Sequence, residues 1–129
     1  MILAVCVDNR MGLSFMGKRL SKDRLLREKL TELSGGKLRM SVYSGKQFDL
    51  GVYMAPGYLS GAAEGDWVFA ENREYLDYSD RIEQIVLFRW NRDYPADVYF
   101  SFPGDWTLVS CEDFPGNSHD TITMEVYRK

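Results

Sequence analysis

Cysteine and histidine are scarce in this chain of 129 residues, which has two cysteines and one histidine. Two cysteines are too few for a disulfide framework, and we expect Cys6, within the apolar run ILAVCV, to be a small core residue. The sequence contains no C-x-x-C, H-E-x-x-H, G-x-S-x-G or G-x-x-x-x-G-K-[ST] motif. The sequence therefore gives no motif for a zinc enzyme, for a hydrolase with a nucleophile elbow or for a P-loop nucleotide-binding protein. We expect no metal.

Long apolar runs are also absent. None approaches the roughly 20 residues that a membrane-spanning helix needs. The N-terminal MILAVCVDNR has no basic segment before its apolar part and reaches Asp8 too soon for a signal peptide. We therefore expect a cytoplasmic protein with no membrane partner. The length, with 45% hydrophobic and 14% aromatic residues, predicts one globular domain.

The charge is unevenly distributed along the chain. The net charge is -3, yet ten lysines and arginines fall within the first 46 residues, against four acids. Folding can mix these charges into an even surface, or it can leave a basic rim beside the helix predicted at 21–34, which would suit a phosphate or carboxylate ligand. The acidic overall balance, with no aromatics interleaved in the basic run, argues against nucleic acid as a partner.

Hydrophobic periodicity predicts alternating strands and helices. Residues 1–8 form a continuous apolar run, typical of a strand buried on both faces. After a loop, SKDRLLREKLTEL predicts a helix with Ser21 as its N-cap and with Gly35-Gly36 at its end. Four leucines at helical spacing form its apolar stripe: Leu25, Leu26, Leu30 and Leu33.

The remainder of the chain predicts further strands at 37–44, 66–70, 82–90, 97–102, 105–114 and 121–129. The last of these alternates apolar and polar residues, which is typical of a half-exposed antiparallel strand. Residues 46–65 predict a turn-rich segment with a short strand or one helical turn, and 71–81 a short helix with Tyr75 and Leu76 turned inward. Strands with a helix between them and a final hairpin favour an α/β sandwich.

The late part of the chain resembles the C-terminal half of dihydrofolate reductase. The residues that carry this resemblance are Asp97 to Phe100, Pro103, Asp105-Trp106 and Glu125-Val126-Tyr127-Arg128. The earlier part of the chain supports the same resemblance. Val7, Asp8 and Gly12 are in register with the family's "V-D-x-x-x-G" loop. Gly45-Lys46 stands in place of the family's Gly-Arg turn, and Tyr75 in place of its tyrosine.

The resemblance implies a three-layer α/β fold with a mixed, mostly parallel sheet, a C-terminal antiparallel hairpin and few helices. It implies a single domain, 1–129, that is shortened around residues 47–65. The N-terminal stretch is also similar to short bacterial proteins of unknown role, some of which carry the name ribonuclease Z. A zinc nuclease needs a cluster of histidines and aspartates, and this chain has only His119.

The resemblance also implies a site. Asp23 stands near the family's substrate-holding carboxylate, and Ala4 matches its small residue beside the pterin and nicotinamide. Lys18 and Arg19 lie in the segment that replaces the family's Pro-Trp pair, and Lys22 extends this basic stretch. At the Gly-Arg turn, Gly45 and Lys46 would meet a cofactor phosphate, although a lysine in a turn is also ordinarily a solvated side chain.

Several groups that the family's chemistry needs are replaced. Ala70-Glu71 stands where paired glycines approach the pyrophosphate, Gln47-Phe48 follows the Gly-Arg turn, and Phe88 replaces a threonine. His119 lies in the polar turn GNSHD, where we expect an exposed residue and no general base, although sequence alone leaves a Ser-His-Asp triad open.

Three interpretations of function follow. The first is a dihydrofolate reductase-like protein without hydride-transfer activity or cofactor, which binds a small anionic or nucleotide-like ligand beside the first helix through Lys18, Arg19, Lys22 and Asp23. The second is an interaction or scaffold protein that acts as a homodimer, which an exposed aromatic patch around Trp90 and Tyr94 would favour. The third is an active reductase with NADPH as its cofactor.

Overall fold

A central parallel sheet organises the protein, whose computed structural model describes residues 1–48 and 52–129. Strand β1 (Ile2–Val7) is apolar throughout and lies between two parallel neighbours, β6 (Trp67–Phe69) and β7 (Gln84–Arg89). Ala4 pairs with a residue of each neighbour and is fully buried. Apolar side chains on both faces of β1 are covered, as the continuous hydrophobic run predicts.

Within the described residues, the main sheet has seven strands in the order β5-β4-β6-β1-β7-β10-β9. Strands β4 (Leu38–Met40) and β5 (Tyr53–Met54) extend the parallel part. Strand β10 (Thr121–Arg128) runs antiparallel to β7 and pairs with β9 (Thr107–Pro115), which forms the edge. The predicted mostly parallel sheet with a C-terminal antiparallel hairpin is therefore confirmed.

Helix α1 (Arg24–Ser34) covers one face of this sheet. Leu26 and Leu30 are buried in its apolar stripe, but Leu33 is 40% exposed, so the predicted stripe is one residue too long. Gly35 ends the helix with a φ of 57°, a left-handed conformation that glycine adopts without a steric penalty. The two faces of the sheet bury two apolar clusters, one around Val5, Ile85 and Leu87 and one around Leu26, Leu30 and Phe88.

The prediction of Ser21 as the N-cap is wrong. Asp23 takes this place, because its carboxylate accepts hydrogen bonds from the backbone N–H groups of Leu25 and Leu26 while its own backbone stays extended. The helix therefore begins at Arg24, and its N-cap lies two residues later than predicted, which leaves Ser21 in the segment before the cap.

The predicted loop after β1 contains a hairpin. Strands β2 (Gly12–Phe15) and β3 (Lys18–Arg19) pair antiparallel, and β8 (Val98–Tyr99) joins β2 to complete a second, three-stranded sheet. The Asp8 carboxylate organises its start, because it accepts hydrogen bonds from the backbone N–H groups of Gly12 and Tyr94. These short strands exist because partners from distant parts of the chain complete them.

The predicted strand at 37–44 ends early. After Met40, Ser41 caps helix α2 (Val42–Gly45) by accepting a hydrogen bond from the backbone N–H of Ser44. The turn-rich character of 46–65 is seen in β5 and the turns that follow it, while residues 49–51 of that prediction lie outside the described part. The short helix predicted at 71–81 is 3-10 helical over Glu74–Arg81, with a kink at Tyr78, and Tyr75 within it is fully buried.

In the described residues, no helix is long and apolar enough to cross a membrane.

Candidate functional site

The candidate site lies at the carboxyl ends of the parallel strands. Strands β1, β6 and β7 all end at this edge, and the turn before β10 reaches it because β10 runs antiparallel to β7. Glu71 follows the end of β6, and Trp90 follows the end of β7. Both line one cavity together with residues at the N-terminus of α1. Open α/β sheets generally bind ligands at this edge.

Asp23 is the most highly coordinated group of this region. Its carboxylate is 2% exposed as a residue and, besides capping α1, accepts hydrogen bonds from the backbone N–H groups of Asn117 and Ser118 at 2.9 Å each. Burial acts to raise the pKa of this carboxyl, but the bonds from Asn117, His119, Ser118 and Leu26 together hold the pKa well below its ordinary value. Asp23 is therefore held as a carboxylate by the protein itself.

His119 lies against Asp23 and is buried, which overturns the expectation of an exposed turn residue. Its side chain is 1% exposed, and its Nδ1 lies 3.0 Å from Asp23 Oδ2. Its Nε2 lies 2.9 Å from the Tyr94 hydroxyl and 3.2 Å from Ser21 Oγ. Trp90 stacks on the imidazole with ring centroids 4.5 Å apart. The segments 21–23 and 90–94 thus meet the turn that carries His119 around its imidazole ring.

A small enclosed cavity borders this cluster. It has a volume of about 10 Å³, which is room for about one water molecule. Cys6 lines it, and the pKa of this thiol is raised by burial and by the nearby charges of Glu71 and Asp23. A thiol held in its neutral form is a poor nucleophile. Cys6 is only half-buried, and it packs against the apolar cluster around Leu26, Leu30 and Phe88.

A larger open groove of about 660 Å³ lies beside the N-terminus of α1. Five cationic side chains line it, and none of its described lining residues is acidic: Lys18, Arg19, Lys22, Arg24 and Arg27. Ser21, Tyr43, Asn117 and Ser118 complete its walls. Five of the ten lysines and arginines among the first 46 residues therefore line one groove.

The predicted site residues are only partly brought together. Lys18, Arg19 and Lys22 share the groove, and Asp23 lies directly beneath it in the buried cluster. Ala4 is fully buried within β1, and Gly45 is buried in α2 against the side chain of Met54. Exposed Lys46 is the C-cap of α2 and does not line the groove.

Sequence reasoning missed the contributions of Arg24, Arg27, Ser21 and the His119 cluster. Arg24 and Arg27 stand in the predicted helix, where only their position near its start linked them to Lys22. In the described residues, no group of three or more histidines, cysteines, aspartates or glutamates is placed to hold a metal ion.

The fold is dihydrofolate reductase-like. Among solved structures, dihydrofolate reductase from Enterococcus faecalis, complexed with NADP(H) and RAB-propyl, matches with a TM-score of 0.66 at 13% sequence identity, covering 99% of this chain and 95% of that chain. A likeness at this identity shows the fold alone. No family model matches the chain, and no curated protein matches it. The shortening around 47–65 and the similarity to proteins named ribonuclease Z stay predictions.

Proposed function

We propose that this protein binds a small anionic ligand, with phosphate or carboxylate groups, in the basic groove beside α1. One observation carries the proposal: five cationic side chains and no described acid line a single concave surface of about 660 Å³. This volume lies within the range of small-molecule sites, about 300–1,000 Å³. Charges of one sign that line a cleft attract and hold ions of the opposite sign.

Neighbouring acids neutralise only part of this charge. Arg19 is bound by Glu71 at 2.9 Å, and exposed Arg24 pairs with Glu28 at 3.1 Å. Within residues 1–48 and 52–129, no ion pair engages Lys18, Lys22 or Arg27. These three side chains therefore remain available to an anion.

The proposal includes the absence of hydride transfer. The end of β6 does not suit the pyrophosphate of NADPH, because Ala70 and Glu71 stand where closely approaching glycines would be needed. The Glu71 carboxylate accepts hydrogen bonds from Arg19 and from the Gln47 side chain at 2.9–3.1 Å, so a negative charge is built into this place. A cofactor phosphate would be repelled there, which supports a binding protein over an active reductase.

Asp23 has a supporting role in this proposal. Both of its oxygens are occupied by donors from α1 and from the turn before β10, which leaves little acceptor capacity for a pterin-like ligand. We assign it to hold the start of α1, and with it Lys22 and Arg24, against the turn that carries Asn117 and Ser118. The carboxylate thus positions the basic rim and does not itself contact the anion.

A thermal-shift titration with pyrophosphate, citrate, ADP and NADPH tests the proposal. An anion at about 100 times its dissociation constant should stabilise the fold by roughly 2.7 kcal/mol, which corresponds to a shift of several degrees. The shift should shrink in Lys22→Ala and at high ionic strength, because salt screens charges at this exposed surface. The matched control is Lys37→Ala, an exposed lysine beyond the far end of α1.

Equal shifts in Lys22→Ala and Lys37→Ala would contradict binding in this groove. No change in melting temperature with any of the anions would contradict the proposal as a whole. A shift with NADPH alone, unchanged in Lys22→Ala, would favour the reductase interpretation instead.

A second candidate function, self-association as a homodimer, is favoured by the edge strand β9. Eight of its nine residues are exposed, and among them Leu108 and Val109 are 47% and 52% exposed. A long edge strand offers unpaired backbone groups to another chain. The exposed aromatic patch predicted around Trp90 and Tyr94 does not support this candidate, because Trp90 is only 4% exposed.

A further inference from the structure

Ser21, His119 and Asp23 stand in the order of a nucleophile, a base and the group that orients the base. Ser21 Oγ lies 3.2 Å from His119 Nε2, and His119 Nδ1 lies 3.0 Å from Asp23 Oδ2. Because a carboxylate only accepts, Nδ1 carries the ring proton, and in the neutral imidazole Nε2 is left as the acceptor that the Ser21 hydroxyl faces. These distances match the geometric pattern of a catalytic triad, which does not depend on sequence order.

The two inner members of this triad are rigidly held. The side chains of His119 and Asp23 are 1% and 0% exposed, Trp90 stacks on the ring, and backbone N–H groups fix the carboxylate. A base needs this kind of support to stay within reach of a nucleophile. By contrast Ser21 is half-buried and is the one member that lines the basic groove. The nucleophile therefore stands at the surface where an anion would bind.

A second hydroxyl shares the same imidazole nitrogen. The Tyr94 hydroxyl lies 2.9 Å from Nε2, but Tyr94 lines a neighbouring cavity, together with Phe15 and Pro95. Since Tyr94 does not line the basic groove, an anionic substrate held there meets Ser21 first. Tyr94 also keeps Nε2 hydrogen-bonded when Ser21 is changed, which makes Ser21 a safe position for mutation.

We propose that the protein hydrolyses carboxylic esters that carry a phosphate or carboxylate group, with Ser21 as nucleophile, His119 as general base and Asp23 as the positioning residue. This inference rests on the proposed function, because the cations of the groove are what select an anionic ester. Lys22 and Arg27 line the same groove as Ser21, and we assign them to bind the anionic group of the ester.

The reaction has two balanced steps. Ser21 Oγ bonds to the acyl carbon while its proton passes to His119 Nε2, and the ester C–O bond breaks as the leaving alkoxide takes that proton. Water then attacks the acyl-serine, giving a proton to Nε2 that returns to Ser21 Oγ as the acyl–oxygen bond breaks. The net change is ester plus water to carboxylic acid plus alcohol, with no oxidant or metal required.

Two nitrophenyl esters of equal chain length test the substrate class: the monoester of glutaric acid, which is anionic, and the ester of valeric acid, which is neutral. We expect the purified protein to hydrolyse the anionic ester with the higher kcat/KM. Ser21→Ala should lower that kcat/KM about 100-fold or more, the usual contribution of an activated nucleophile and its base. Lys22→Ala should raise KM for the anionic ester only, and the exposed serine variant Ser60→Ala should match the parent protein.

A covalent trap tests the nucleophile directly. A fluorophosphonate should form a phosphorus–oxygen bond to Ser21 Oγ with loss of fluoride, seen as a single mass increase that maps to the peptide containing Ser21. Labelling should be lost in Ser21→Ala and kept in Ser60→Ala, and both variants should melt close to the parent protein.

The outcomes separate this inference from the proposed function. Anion-induced thermal shifts without ester hydrolysis would leave the binding groove standing and overturn the triad. Hydrolysis or labelling that persists in Ser21→Ala would overturn the nucleophile. Ser21-dependent hydrolysis without preference for the anionic ester would overturn the substrate class, and with it the groove as the site that selects the substrate.

Discussion

At the scale of single residues, Asp23 joins the start of α1 to the turn before β10 through the hydrogen bonds that its carboxylate accepts. Asp23→Ala removes the N-cap of α1 and leaves the buried His119 and the N–H groups of Asn117 and Ser118 without their acceptor. Removing one partner of such a buried set costs about 3–5 kcal/mol of unfolding free energy. Urea denaturation at neutral pH measures this loss. Asp77→Asn, at an exposed position of the 3-10 helix, is the control and should change little.

The same residue predicts an acid dependence of stability. The pKa of Asp23 is lowered on folding from an ordinary value of 3.8, so its contribution is fully present above that value and is lost as the pH falls through the folded pKa. The difference in unfolding free energy between the parent and Asp23→Asn should therefore shrink as the pH is lowered below about 4. A difference that stayed constant from neutral to strongly acidic pH would contradict this linkage.

His119 shows what the sequence could not reveal about single residues. The turn GNSHD is polar, and nothing in its local pattern indicates that one member is 3% exposed. The burial arises because Trp90 and Tyr94, more than twenty positions earlier, fold over the turn. Asp23 was found because a resemblance pointed to it, but its distant partners, in the turn at 117–119, come close to it only in the folded chain.

At the scale of elements, the β2–β3 hairpin carries Lys18 and Arg19 to the groove through a two-residue turn. The turn residues Met16 and Gly17 both have positive φ, 51° and 75°. Such turns favour Asn-Gly, because asparagine tolerates the left-handed region better than methionine does. Met16→Asn should therefore raise the unfolding free energy by about 0.5–1 kcal/mol in urea denaturation.

The matched change at this turn is Met16→Val. A β-branched side chain disfavours positive φ, so this variant should be less stable than the parent. Because Met16 is 75% exposed, neither variant loses much buried contact, and the difference in their stabilities reports on the backbone of the turn. Equal stabilities of the asparagine and valine variants would show that the turn does not limit the hairpin.

Elements with their own hydrophobic period could be predicted, and short ones could not. Strands β1, β7 and β10 and helix α1 each have a complete apolar pattern, so their positions followed from the sequence. Strands β3 and β8, two residues each, have no period to detect and exist only through their partners. Helix α2 had a signal in the Ser41 cap, but the apolar residues around it favoured a longer strand.

At the scale of the whole molecule, the two edges of the sheet differ. One edge is the two-residue strand β5, and the other is the nine-residue strand β9, whose outer side pairs with no described strand. Glu112 and Asp113 place charge on β9, a common protection against edge pairing, but Leu108 and Val109 lie exposed at its start. The apolar half of this edge is therefore where self-association would begin.

The homodimer candidate predicts a mass that depends on concentration. If β9 pairs with its copy, sedimentation equilibrium should report a dimer at high protein concentration, and Val109→Lys should shift the equilibrium to the monomer, because a lysine on an edge strand opposes pairing. Val42→Lys changes a side chain of similar exposure, 48%, on α2, and should leave the equilibrium unchanged. A monomer at every concentration would remove the homodimer from consideration and leave the basic groove as the functional surface. A dimer insensitive to Val109→Lys would move the interface away from this edge.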